Sequence, residues 1–129
     1  MNGIKAVIYE IQSCKNLHIV TFKCFDDYLT MMSLDLDSSI KVGVSVKLVV
    51  KPSSIAIAKD ISGELSYSNQ LWCKVLSVED GELLSSIKLK YFDFELESII
   101  TRKSSHRVAI NEGDDIIALI KASDLSIME

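Results

Sequence analysis

Two stretches of this chain hold the residues best suited to chemistry. Lys51, Pro52, Ser53 and Ser54 follow the apolar run LVV, and Lys121, Ala122 and Ser123 follow the run ALI. In each, a lysine ends an apolar run and a hydroxyl stands two residues later. Ammonium, backbone N–H and O–H all donate hydrogen bonds, so such a strand end suits a guest that offers only acceptors. A tetrahedral oxyanion such as molybdate, tungstate or sulfate is such a guest, and charge-assisted donors bind it by the stronger kind of hydrogen bond. The competing reading is a solvated lysine beside a serine that opens a turn. Proline has no N–H to give, which makes Lys51 and Ser53 the poorer donor set.

Other chemistry is sparse. His18 alternates with apolar neighbours in NLHIVTF and reads as a solvent-facing strand residue. His106 follows serines in a basic loop, with no nucleophile elbow nearby. Asp26, Asp27, Glu79 and Asp80 fall in turn-like segments, where carboxylates are ordinarily solvated. No glycine-rich phosphate cradle occurs, so no catalytic residue is assigned and the chain is expected not to be an enzyme. Cys14, Cys24 and Cys73 are odd in number and lack a CxxC spacing. They read as buried free thiols, with neither a disulfide framework nor a protein-ligated metal.

The elements that must position the lysines follow from pattern and size. A chain of 129 residues, 48% hydrophobic and 25% charged, suits one good core or two small ones that share a surface. A net charge of -4 argues against general nucleic-acid binding, which relies on clustered cations. The opening MNGIKAVIYE lacks a secretory pattern and the apolar runs are too short to span a bilayer, so a cytoplasmic location is expected.

The sequence also repeats. NGIKAVIYEI aligns with NQLWCKVLSV, setting Asn2 against Asn69, Ile4 against Leu71 and Ile8 against Val75. IKVGVSVKLVVKPSSIAIAK aligns with INEGDDIIALIKASDLSIME, setting Gly43 against Gly113, Lys51 against Lys121 and Ser53 against Ser123. The spacing predicts units at 1–60 and 61–129, joined through DISGELSYS. Within each unit the apolar residues alternate in short β-branched and aromatic runs, separated by FDD, KVG, EDGE and NEGDD. About five strands per unit is the complement of a small OB-like barrel. Helix is confined to one or two turns in DSSIK and SSHRVAI. The expected class is all-β, two tandem OB-like barrels.

With SNQL at 68–71, SIITRKSSHRVAINEGD at 98–114 and LIKASDLSI at 119–127, the units resemble the Mop or TOBE domains of molbindins and of the C-terminal region of molybdate-responsive regulators. The resemblance covers the chain as a tandem pair. It implies OB-like barrels, closed homo-oligomers (dimer or trimer), and molybdate or tungstate bound where subunits meet. Carried over residue by residue, it implies an oxyanion site built from Ser66, Thr101, Ser104, Lys121, Ala122 and Ser123, with Lys51 and Ser53 as the weaker counterpart. Ser68 is counted with this site as well, although it stands where regulators of this family often place an arginine. Asp35 and Asp37 in the first unit's loop would repel a dianion, whereas Arg102, Lys103 and Arg107 bring cations to the second. Storage, homeostasis and sensing of molybdenum all fit such a protein, with no membrane and no nucleic-acid partner unless a DNA-binding domain is attached. The alternatives from other classes are an OB-type nucleic-acid module, in which Trp72, Tyr91, Phe92 and Phe94 stack bases, and a purely structural oligomerisation module.

Overall fold

Ile4, Ala6 and Ile8 point inward and Lys5, Val7 and Tyr9 outward, so the first strand presents one apolar face to a core. The same alternation recurs in Leu71, Cys73 and Val75. The computed structural model describes residues 2–128 and contains strands β1 (Asn2–Cys14), β2 (Leu17–Cys24), β3 (Asp27–Ser33), β4 (Ser45–Val50), β5 (Ala56–Ala58), β6 (Asn69–Asp80), β7 (Leu84–Tyr91), β8 (Phe94–Thr101), β9 (Asp115–Ile120) and β10 (Ser126–Ile127). One helix, α1 (Arg102–Val108), and two 3-10 turns, Pro52–Ser54 and Ala122–Asp124, complete it. The chain is therefore all-β and built of curled, OB-like sheets.

The strands form two five-stranded antiparallel sheets, ordered β10-β4-β1-β2-β3 and β5-β9-β6-β7-β8. Each sheet thus closes with a strand from the other end of the chain. Ala56–Ala58 pairs with Ile117–Leu119, and Ser126 and Ile127 pair with Val49 and Leu48. Lys59 fastens the first exchange: its Nζ donates to Ala109 O at 2.6 Å and lies 2.9 Å from Asp114 Oδ2. Ile55 and Leu125, just before the exchanged strands, are almost fully buried. Each apolar side chain so buried contributes about 1.5–3 kcal/mol, so the crossings are anchored by packing as well as by ladder hydrogen bonds.

The long first strand of each sheet carries an irregularity at the same place, between Ile8 and Glu10 and between Val75 and Ser77. There the glycine turns dock: Gly43 N–H donates to Ile8 O and Gly113 N–H to Val75 O, both at 2.8 Å. Both glycines have φ near +90° (93° and 89°), which an L side chain rarely adopts. Phe25 and Phe92 occupy matching hairpin turns, both at positive φ (53° and 51°), and their rings stack with centroids 4.7 Å apart between the halves.

Several expectations need correction. Residues 83–100 read from the sequence as one continuous alternating run, but they form two strands because Phe92 and Asp93 make a hairpin turn within them. DSSIK is a turn: Asp37 Oδ1 accepts from the Ser39 N–H at 2.8 Å and no helix forms. Its counterpart does form α1, because Thr101 Oγ1 accepts from the Ser104 N–H at 3.1 Å and Ala109 closes the helix in the left-handed region. Cys24 and Cys73 are buried free thiols, but Cys14 is exposed, since β1 runs past the edge of the core. His18 is half-buried, with its Nδ1 2.7 Å from Ser13 Oγ in an exposed contact, as suits a strand residue beside solvent.

Candidate functional site

The lysine turns are near-copies. Lys51 (φ -69°, ψ 140°) and Lys121 (φ -67°, ψ 147°) each end a strand and open a 3-10 turn. Lys51 O accepts from Ser54 N–H at 2.9 Å, and Lys121 O from Asp124 N–H at 3.0 Å. In the second turn the first N–H groups belong to Ala122 and Ser123, and the opening residues of such a turn have no carbonyl of their own turn to bind. In the first turn Pro52 removes one of these donors.

The cleft beside Lys121 is about 500 Å³ and is lined by Ser66, Tyr67, Ser68, Lys121, Ala122 and Ser123 on one side, and by Ile19, Thr30 and Met32 on the other. Five of the residues named from the sequence therefore converge: Ser66, Ser68, Lys121, Ala122 and Ser123. No acidic side chain lines the cleft, so its charged group is the lysine ammonium. The opposite wall is the outer face of β2 and β3, held to this cleft by Asn69. Asn69 Oδ1 accepts from Thr30 N–H at 2.7 Å, and its Nδ2 donates to Thr30 O at 2.9 Å.

The remaining residues lie elsewhere. Ser53 lines a second cleft of about 310 Å³ with Ser54, Tyr67, Lys121 and Asp124, so it sits toward the second lysine. Lys51 is exposed beyond either cleft. Thr101 and Ser104 are engaged with each other at the start of α1, and Ser104 Oγ also accepts from Arg107 at 3.3 Å. Neither lines the Lys121 cleft within one chain. Arg102, Lys103 and His106 surround a separate hollow with Glu82 and Leu83. Asp35 and Asp37 also face a different cavity, of about 420 Å³, which shares only Met32 and Ser123 with the site.

Thr30 and Tyr67 are the polar cleft residues that sequence reading missed, beside the apolar Ile19 and Met32. Thr30 alternates with Met32 on the outward face of β3, and Tyr67 lies between two serines already singled out; both signals were present but carried no charge.

The histidine nearest a carboxylate is not arranged for nucleophilic chemistry. His106 Nε2 lies 2.9 Å from Asp80 Oδ2, so the imidazole donates, while buried Ser85 donates to the other carboxylate oxygen. These bonds, that from Ser85 first, hold the Asp80 carboxyl below the usual carboxylate range. A nucleophile would have to give its proton to the imidazole, and Ser85 gives its own to the carboxylate. Among the described residues no group of three or more His, Cys, Asp or Glu side chains is placed to hold a metal ion.

Comparison with known proteins places this geometry. Residues 65–127 match the TOBE domain family. The second half of the chain is a TOBE domain. That stretch contains the serines of the cleft and the Lys121 turn. The molybdenum import ATP-binding proteins ModC of Brucella abortus, Brucella suis and Brucella melitensis are each 27% identical to the chain over 107 residues, 76% of its length. The chain spans about 30% of the length of these relatives. The crystal structure of ModG, described as a cytoplasmic molybdate-binding protein and determined with molybdate bound, superposes with a TM-score of 0.91 at 24% identity, over 98% of this chain and 94% of that one. The likeness shows a fold shared across both sheets. Among the described residues no helix is long and apolar enough to cross a membrane.

Proposed function

We propose that this chain binds molybdate or tungstate in the cytoplasm, as a storage, homeostasis or sensing protein, and acts by binding rather than catalysis. The observation that carries the reading is the convergence of Lys121, Ala122, Ser123, Ser66 and Ser68 on one cleft free of acidic side chains. The TOBE match over the same residues and the ModG fold support it.

The physical basis is a cleft made of donors. A dianion leaves water only where hydrogen bonds replace its hydration. Ammonium, hydroxyls and free N–H groups supply them, and each is stronger for being charge-assisted. Singly protonated phosphate carries a proton that needs an acceptor, so a site of donors disfavours it. Molybdate and tungstate carry the same charge as sulfate and differ in size, so cavity dimensions select among them.

One cleft open on a side does not surround a tetrahedral ion. Homo-oligomerisation, as a dimer or trimer, completes the shell by bringing donors from a neighbouring copy, and Thr101, Ser104 and Lys51 are the candidates that one chain leaves outside its own cleft. The units 1–60 and 61–129 would then contribute unequal halves of such sites.

Native mass spectrometry with and without molybdate tests both parts, since it counts subunits and anions together. The expected result is a closed oligomer that gains molybdate and melts at a higher temperature with it. An unchanged mass and melting curve at millimolar molybdate would overturn the reading. Retardation of a single-stranded oligonucleotide in that case would replace it with nucleic-acid binding.

A further inference from the structure

We propose that Glu97 sets how many anions the chain accepts, by filling at the Lys51 turn the place that Thr30 leaves open at the Lys121 turn. The inference rests on the oxyanion reading above and adds the residue that makes the two lysine turns unequal.

Thr30 and Glu97 hold the same position in the two halves. Thr30 is gripped by Asn69 through its N–H and C=O. Glu97 is gripped identically by Asn2, with Glu97 N–H donating to Asn2 Oδ1 at 2.6 Å and Asn2 Nδ2 donating to Glu97 O at 2.8 Å. The turn Ala122–Asp124 packs on β3, which carries Thr30, and the turn Pro52–Ser54 packs on β8, which carries Glu97. The strand pairings agree: Thr30 stands opposite Thr21, and Glu97 opposite Lys88.

The side chains differ in kind. Threonine adds one more hydroxyl donor to the Lys121 cleft. The Glu97 carboxylate instead accepts from Ser86 Oγ and lies 3.6 Å from Lys88 Nζ. Ser86 corresponds in the strand ladder to Ile19, which walls the Lys121 cleft. The donors available on that side are thus already given to the protein's own anion. The hydrogen bond from Ser86, helped by Lys88, holds the Glu97 carboxyl below the usual glutamate range, so it is charged at neutral pH. A dianion approaching the Lys51 turn meets a like charge and, at Pro52, a missing N–H. Building an unfavourable charge into the wrong site is a recognised route to specificity.

The test exchanges the two residues. Wild type, Glu97→Thr, Glu97→Gln and Thr30→Glu are titrated with molybdate by calorimetry, and the bound anions are counted by native mass spectrometry. Glu97→Thr is expected to take up one further anion per chain, and Glu97→Gln, which keeps the size and removes the charge, to gain it as well. Thr30→Glu is expected to weaken molybdate binding roughly tenfold or more. Wild-type counts in both Glu97 variants, together with wild-type affinity in Thr30→Glu, would overturn the proposal while leaving the oxyanion reading intact. Uptake by Glu97→Thr alone, with none by wild type, would support Glu97 as the block and remove the Lys121 cleft from the function. No uptake by any of the four proteins would overturn both.

Discussion

Asn69 pairs with Thr30 as if it were a short piece of strand: its side-chain amide both accepts from the Thr30 N–H and donates to the Thr30 carbonyl. Thr30 lies in the edge strand of one sheet, and Asn69 begins the central strand of the other. An edge strand has a row of unpaired backbone groups. Here one residue's pair is satisfied by the opposite barrel, and Asn2 does the same for Glu97.

Asn69→Ala is expected to leave the N–H and C=O of Thr30 without these partners. The cost is about 1–3 kcal/mol, as for other buried polar groups left unpaired. Urea unfolding with an unchanged m value would read it directly, and an unchanged midpoint would contradict the stapling role. Molybdate affinity should fall as well, because the same bonds hold the Thr30 wall of the cleft.

Lys121→Ala is expected to cost on the order of 1.5–3 kcal/mol of molybdate binding, the worth of a hydrogen bond to a charged group. Lys51→Ala should cost less. Calorimetry of the two variants decides their order, and equal losses would contradict the placement of Lys121 inside the cleft and Lys51 outside it.

The thiols should separate by reactivity. Exposed Cys14 is expected to react with a thiol reagent in the folded protein, and Cys24 and Cys73 only after denaturation. Burial pushes the Cys73 thiol from 9.0 to about 12, and raises Cys24 too. Because the folded value is the higher one, the stabilisation is complete below 9.0 and is lost as pH climbs from there toward 12. Cys73→Ala should flatten the alkaline fall in stability measured by urea unfolding across that window.

Acid behaves in the opposite sense at Asp114. Lys59 first, and then the Asn111 N–H, hold its carboxyl below 3.8, so its contribution is present above that value and is lost as pH falls through the folded one. Lys59→Met removes the leading cause. The variant should lose less stability than wild type as pH falls below about 4, measured as the difference in unfolding midpoints. A parallel pair of curves would show that the ion pair has no part in acid sensitivity.

Most of the strands were legible because alternation is a direct record of which face is buried: Ile4, Ala6 and Ile8 cannot all point inward except in an extended chain. The lysine turns and the cleft serines were legible because charge and hydroxyl chemistry at a strand end is local. What escaped was short or relational. Ala56–Ala58 is too brief to have a period, and although LSI at 125–127 reads as a strand, nothing in either segment says which sheet it joins. Thr30 carries no charge and gains meaning only when Asn69 brings it opposite Lys121. Thr101 and Ser104 were named through the family pattern, but in one chain their nearest partners are each other and Arg107. Cys14 reads with the other two thiols as part of a strand, but its neighbours Gln12, Ser13, Lys15 and Asn16 are polar, and the length of β1 carries it into solvent.

The reciprocal crossing of β5 and β10 also orders events on the ribosome. The sheet begun by Asn2 lacks its edge until Ser126 and Ile127 have been translated, and Ala56–Ala58 waits with no ladder until β9 exists to receive it. Early-made segments are therefore held open for late-made ones, so neither sheet is complete until both halves of the chain have been made.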